Sequence, residues 1–181
     1  KGRTEEFTNH KIQLVEGGFA RQSSRVQALC QQLKVQRLSS LPSLAPLMAS
    51  ADAAIGAGGT TTWERLCLGL PSITYALAKN QEEYSQVLAD RGLIEYLGHA
   101  EAFDQELFQR TVMHFHEEPE RLQHQSVKGM ELVDGRGCVR IARLMSSQLD
   151  PARWAELSRE DFECEHTWVW SDGLRLSNEN D

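Results

Sequence analysis

The stretch Ala54–Gln81, AIGAGGTTTWERLCLGLPSITYALAKNQ, decides how this chain folds. A short apolar run leads into Gly56-Ala57-Gly58-Gly59 and then into three threonines, Thr60 to Thr62. Apolar residues ending in glycines, with hydroxyl residues next, read as a strand turning into a helix. Trp63, Leu66, Cys67 and Leu70 then recur at helical spacing and are expected on one buried stripe. Gly69 and Pro71 stop that helix, and Ser72–Ala76 starts another strand. Strand, helix and strand in this order form the crossover unit of a parallel sheet.

The alternation extends to both sides. Ile12–Val15 is an expected strand closed by Gly17-Gly18, and Val35–Leu38 is a second. Between them, Ser23 or Ser24 caps a helix carrying Val26, Leu29, Cys30 and Leu33. A helix over Leu41–Ala49 follows; Pro42 suits its first turn, whereas Pro46 shortens or bends it. Ala53–Gly56 and Leu93–Leu97 are the third and fifth strands, around the Ser72–Ala76 strand. Gln81–Arg91 is a helix with Tyr84, Val87 and Leu88 facing inward. Beyond Gly98 the pattern is helical only: one helix capped by Asp104 and running to Phe115, one from Pro119, and one over Gly135–Met145. The fold class is therefore α/β, a Rossmann-like parallel sheet flanked by helices over residues 11–147, after a polar lead-in at 1–10. Residues 148–181 read as a linker at Asp150-Pro151 and an acidic tail with Trp154, Trp168 and Trp170. Val169 belongs either to a strand or to the end of an amphipathic helix. The lead-in without an initiator methionine and the abrupt end make a piece of a longer chain the expectation.

Composition narrows the function classes. The 181 residues are 40% hydrophobic and 25% charged, as in ordinary soluble domains. A net charge of -7 disfavours nonspecific nucleic-acid binding as the main task. No stretch has membrane-spanning length and the start does not resemble a signal peptide, so a cytoplasmic protein is expected. Cys30, Cys67, Cys138 and Cys164 lack metal-ligand spacing; the first three sit among apolar helical residues and are expected as small buried thiols. No metal or cofactor is expected.

The chemistry concentrates at the opening stretch. Glycines at the carboxyl edge of a parallel sheet permit close approach of a bulky anion. Thr60, Thr61 and Thr62 add hydroxyls and free N–H groups where the helix dipole places about half a positive charge. The loop lacks the Gly-Lys-Ser/Thr ending of a phosphate-binding Walker loop and the register of the dinucleotide fingerprint. A tight, capped turn with no ligand accounts for the glycines equally well. Glu64 lies one turn after Thr60: its carboxylate either complements the dipole or accepts hydrogen bonds from the vicinal hydroxyls of a ribose. Asn80 and Gln81 follow the next strand and reach the same edge, where they grip a sugar or cap the next helix.

ADAAIGAGGTTTWERLCLGLPSI, followed by LAKNQ and by DGRGCVRIARLM, resembles the nucleotide-sugar-binding half of the UDP-sugar hydrolase family of pseudaminic acid biosynthesis. It is also similar to spore-coat polysaccharide glycosyltransferase-like proteins, and more distantly to the lipid II-forming N-acetylglucosaminyltransferase. The resemblance covers roughly Lys11 to Met145. It implies the C-terminal half of a glycosyltransferase-B (GT-B) fold, with a UDP-sugar as substrate and a missing N-terminal domain as partner. Gly58, Gly59, Thr60 and Thr61 would bind the diphosphate, Glu64 the ribose, and Asn80 and Gln81 the sugar. Ser40 and Leu41, in the turn after the second strand, would hold the uracil by backbone groups. The implied activity is release of UDP from an amino-sugar nucleotide, with water activated by a histidine of the N-terminal domain. None of this chain's six histidines matches that base, so no catalytic residue is assigned and the isolated chain is expected to be inactive. A surface-polysaccharide glycosyltransferase and a noncatalytic nucleotide-sugar-binding module are the alternatives. The tail DFECEHTWVWSDGLRLSN resembles the opening of GNAT-type N-acyltransferase domains; packing of its tryptophans on the domain or on a second copy is the other reading.

Overall fold

The structure is a computed structural model. It describes residues 10–17, 23–149, 166–170 and 174–178. The expected lead-in at 1–9, the Asp150-Pro151 linker, Trp154 and Cys164 lie outside the described residues.

The chain divides into two compact units, residues 1–43 and 44–181. In the first, β1 (Gln13–Glu16) pairs in parallel with β2 (Gln36–Ser39) across the helix α1 (Ser24–Gln32). Of the two candidate caps it is Ser23 that caps α1, its Oγ accepting from the Val26 N–H at 3.4 Å. A partly exposed ion pair ties the two strands, Arg37 to Glu16 at 2.7 Å.

The second unit begins with α2 (Ala45–Ala49), shorter than the expected Leu41–Ala49. Proline explains the difference. A helix starting at Ala45 puts Pro46 in its first turn, where the absent N–H costs no hydrogen bond. Then come β3 (Ala54–Ala57), α3 (Thr60–Cys67) and β4 (Ser72–Ala76). A 3-10 turn at Lys79–Gln81 leads into α4 (Glu82–Asp90), followed by β5 (Glu95–His99). The sheet order is β3-β4-β5 and both pairings are parallel. The α/β reading thus holds, with each strand within two residues of its expected place and parallel sheets flanked by helices. The parallel ladders fall into two sheets, one in each unit, rather than a single sheet.

Three helices close the unit: α5 (Gln105–Glu117), α6 (Pro119–Leu132) and α7 (Gly137–Leu149). Asp104 caps α5, its Oδ1 accepting from the N–H groups of Glu106 at 2.8 Å and Leu107 at 3.0 Å. The core joins Leu66, Leu88, Leu93 and Ile94, with Tyr84, Ala89, Tyr96 and Val133 packed against it. α6 approaches α3 closely at Gly129, where a Cβ would stand 2.9 Å from the Leu66 carbonyl oxygen. In the tail, Val169 lies in a strand: β6 (His166–Trp170) pairs antiparallel with β7 (Leu174–Asn178).

Two burial expectations are corrected. Trp63 is 41% exposed and Val87 44% exposed, so the core stripes run through Leu66 and Leu70 on α3 and its follow-on turn, and through Leu88 on α4. A large ring at the rim of the helix finds a stacking partner on α4 instead of the core. Cys30 is buried, but Cys67 is only partly covered and Cys138 is exposed. Cys138 is the second residue of α7, on the exposed face it shares with Ile141 and Met145, so apolar neighbours in sequence did not mean burial.

Candidate functional site

The glycine-threonine loop crosses from the carboxyl end of β3 to the amino end of α3. Gly59 is the cap residue, with extended backbone and no side-chain cap. The Thr62 N–H bonds back to the Gly59 carbonyl at 3.0 Å. The N–H groups of Gly59, Thr60 and Thr61 have no acceptor among the described residues. The loop therefore presents three free donors at the positive end of the helix.

The glycines have separate causes. A Cβ on Gly58 would lie 2.6 Å from Ser85 Oγ and 3.2 Å from Thr74 Cγ2, both on fully buried residues. The Gly58 N–H donates to the Tyr75 carbonyl at 2.7 Å, and the Tyr84 hydroxyl donates to the Gly58 carbonyl. Gly58 is thus consumed in shaping the loop and offers no donor of its own. A Cβ on Gly56 would meet Arg65 Nη1 at 2.9 Å. Gly59 alone faces open space, with the Gln81 amide nitrogen 3.8 Å from where its Cβ would be.

The structure brings Gln81 to the loop and fixes it there: its Oε1 accepts from the Leu77 N–H at 2.8 Å. Asn80 is exposed in the same 3-10 turn, beside a shallow depression lined by Lys79, Glu82 and Tyr96. Neither side chain caps α4. Thr60 is exposed and Thr61 half-buried, whereas Thr62 is fully buried, its hydroxyl accepting from Arg65. Glu64 is half-buried, and its carboxylate has no hydrogen-bond partner among the described residues. Partial burial raises its carboxyl above the usual range, and the neighbouring Arg65 charge acts against that rise. Ser40 and Leu41 belong to the 1–43 unit; Ser40 takes the left-handed backbone conformation at φ 54°. Among the histidines, His99 ends β5 and its Nδ1 accepts from the Glu101 N–H at 3.3 Å, a local turn contact. His114 and His116 are exposed, as expected.

Two residues of the loop's support were missed in the sequence. Arg65 reads as one more polar residue on α3, yet it is 4% exposed beneath the loop. Tyr84 reads as a core residue; it stacks on Trp63 at 6.3 Å between ring centres while its hydroxyl holds Gly58. Burial pushes the Tyr84 hydroxyl up, which keeps it a donor. The sequence signal for the first of these is Gly56, in the strand four residues ahead of the hydroxyl run.

The chain is similar to the spore coat polysaccharide biosynthesis protein SpsG of Bacillus subtilis strain 168, 34% identical over 104 residues. The matched part is 56% of this chain and 30% of the relative, so the chain spans less than a third of that protein's length. No family model matches the chain. No solved structure matches it. Among the described residues no helix is long and apolar enough to cross a membrane.

Proposed function

We propose that the chain is the nucleotide-sugar-binding part of an enzyme of sugar biosynthesis, and that its ligand is a UDP-sugar. The observation that carries this reading is the loop itself. Three N–H groups at a helix N-terminus have no acceptor among the described residues; the Gln81 amide lies beside them, and the Glu64 carboxylate one turn away has no hydrogen-bond partner among those residues. A diphosphate matches the donors, and a ribose diol matches the carboxylate, which a phosphate alone would not tolerate so near. Similarity to a polysaccharide biosynthesis protein supports the sugar.

In this reading Gly59, Thr60 and Thr61 hold the diphosphate, in the loop that Gly58 shapes. Asn80 and Gln81 meet the sugar. Charge developing on the departing UDP meets donors that are already in place, which lowers the barrier to breaking the sugar–phosphate bond. The preferred reaction is hydrolysis of an amino-sugar nucleotide of the pseudaminic acid type. The attacking water and its base belong to a second domain of a GT-B enzyme. The relative's part in polysaccharide biosynthesis favours a second reading, transfer of the sugar to a growing polysaccharide.

Calorimetry with UDP tests the site. UDP should bind, and Glu64→Ala should weaken it roughly ten- to a hundredfold, the loss of about 1.5–3 kcal/mol in charge-assisted hydrogen bonds. Absence of binding by the unaltered chain, or equal affinity in the variant, would remove the nucleotide reading or the ribose role respectively.

A further inference from the structure

Arg65 makes three hydrogen bonds, and they fall on both sides of the loop. Nη2 donates to the carbonyl of Ala57, the last residue of β3, at 2.8 Å. The same nitrogen donates to Thr62 Oγ1 at 3.0 Å, and Nε donates to the Thr61 carbonyl at 3.2 Å. Thr61 and Thr62 are in the first turn of α3. One planar guanidinium therefore spans the strand end and the helix start, with the Gly58–Thr60 bend between them. It is 4% exposed and makes no ion pair with a carboxylate among the described residues. A charge buried at this depth without a counter-ion is unfavourable unless something else compensates it. Its environment also explains a glycine, because Gly56 leaves the space that Nη1 occupies.

We propose that Arg65 is the positioning residue of the anion loop. It fixes the separation of β3 and α3, so that the Gly59, Thr60 and Thr61 donors are held before the ligand arrives. Its charge, offset only in part by the neighbouring Glu64 carboxylate, favours a phosphate above it without contact. The electrostatic half rests on the nucleotide reading; the positioning half does not.

The test uses the full chain and the variants Arg65→Gln, Arg65→Lys and Gly56→Ala. Amide exchange is followed by NMR at Gly58 and Thr62, whose N–H groups bond to the Tyr75 and Gly59 carbonyls. Without ligand, Arg65→Gln should speed exchange at both amides at least tenfold, while the Val133 amide, bonded to the Gly129 carbonyl, keeps its rate. Gly56→Ala displaces the guanidinium without deleting it and should act in the same direction; it carries the measurement if Arg65→Gln does not fold. UDP affinity should fall at least tenfold in both variants, with uridine affinity unchanged. Arg65→Lys keeps the charge but cannot bridge the three acceptors, so it should recover part of the UDP affinity and none of the amide protection. Unchanged exchange at Gly58 and Thr62 overturns the positioning role whatever UDP does. Equal losses for UDP and uridine overturn the phosphate-directed role and leave general support of the fold. If the unaltered chain binds no UDP, the nucleotide reading and the electrostatic half fall together, and the exchange rates still decide the positioning half.

Discussion

Replacing Gly58 and Gly59 separately by alanine separates the fold from the site. At Gly58 the added methyl would lie 2.6 Å from Ser85 Oγ and 3.2 Å from Thr74 Cγ2. Both neighbours are fully buried, so neither has open space to move into. Overpacking of this kind costs about 1–3 kcal/mol. For a chain of this length, each kcal/mol lowers the melting temperature by about 2–4 °C, so Gly58→Ala should melt roughly 2–12 °C lower. At Gly59 the nearest atom is 3.8 Å away and the backbone is extended, a conformation alanine adopts freely. Its weaker capping is offset by a less flexible unfolded chain, leaving stability within about 1 kcal/mol. The methyl at position 59 nevertheless stands where, in the proposed site, a phosphate approaches the N–H groups of the loop. Gly59→Ala should therefore lose UDP binding at least tenfold while melting near the unaltered protein. Thermal melts by circular dichroism and calorimetric titration with UDP read the two effects. A Gly58→Ala protein that melts unchanged, or a Gly59→Ala protein that binds UDP unchanged, would refute the division of roles.

Two further outcomes follow from the packing and the charges. Leu66 is 2% exposed at the centre of the core, so Leu66→Ala should cost about 2–5 kcal/mol, seen as a lower denaturation midpoint in urea with an unchanged slope. Asp134 is held below its ordinary value of 3.8, first by its hydrogen bond from Arg140 and then by the Arg136 N–H. A carboxyl depressed in the folded state stabilises it above pH 3.8, and that contribution is lost as pH falls through the folded value. Asp134→Asn should accordingly flatten the decline of melting temperature below pH 3.8 and leave the shape of the profile above it unaltered.

The strands and their parallel order were legible because buried parallel strands read as short apolar runs between turn residues, and Ser72–Ala76 was placed to the residue. Boundaries slipped where two signals competed. Leu93 and Ile94 are core residues that precede β5, so the apolar run in the sequence starts two residues before the strand itself. Trp63 was misplaced because helical spacing gives a face but not its depth, and the face between α3 and α4 ends at the surface. The loop was legible as a loop. What each residue does in it was not, because that depends on Ser85, Tyr84 and Tyr75, which reach it only through the fold.

The glycine run is therefore three solutions to three problems. Gly56 makes room for a guanidinium, Gly58 makes room for two buried hydroxyl residues, and Gly59 leaves a helix end uncovered. Only the third opens directly onto the face proposed for the ligand. The first two set where that open end stands, since Arg65 ties Ala57 to the first turn of α3, while Tyr75 and Tyr84 hold Gly58 between them. A loop whose carbonyls are engaged from beneath keeps its free N–H groups on the other side, with little rearrangement left for a ligand to induce. In the proposed site, affinity for an anion would then depend as much on the buried Arg65 and the Tyr84 hydroxyl as on the glycine and threonines at the surface. Loss of either set should be visible separately, one in the exchange of the Gly58 amide and the other in binding alone.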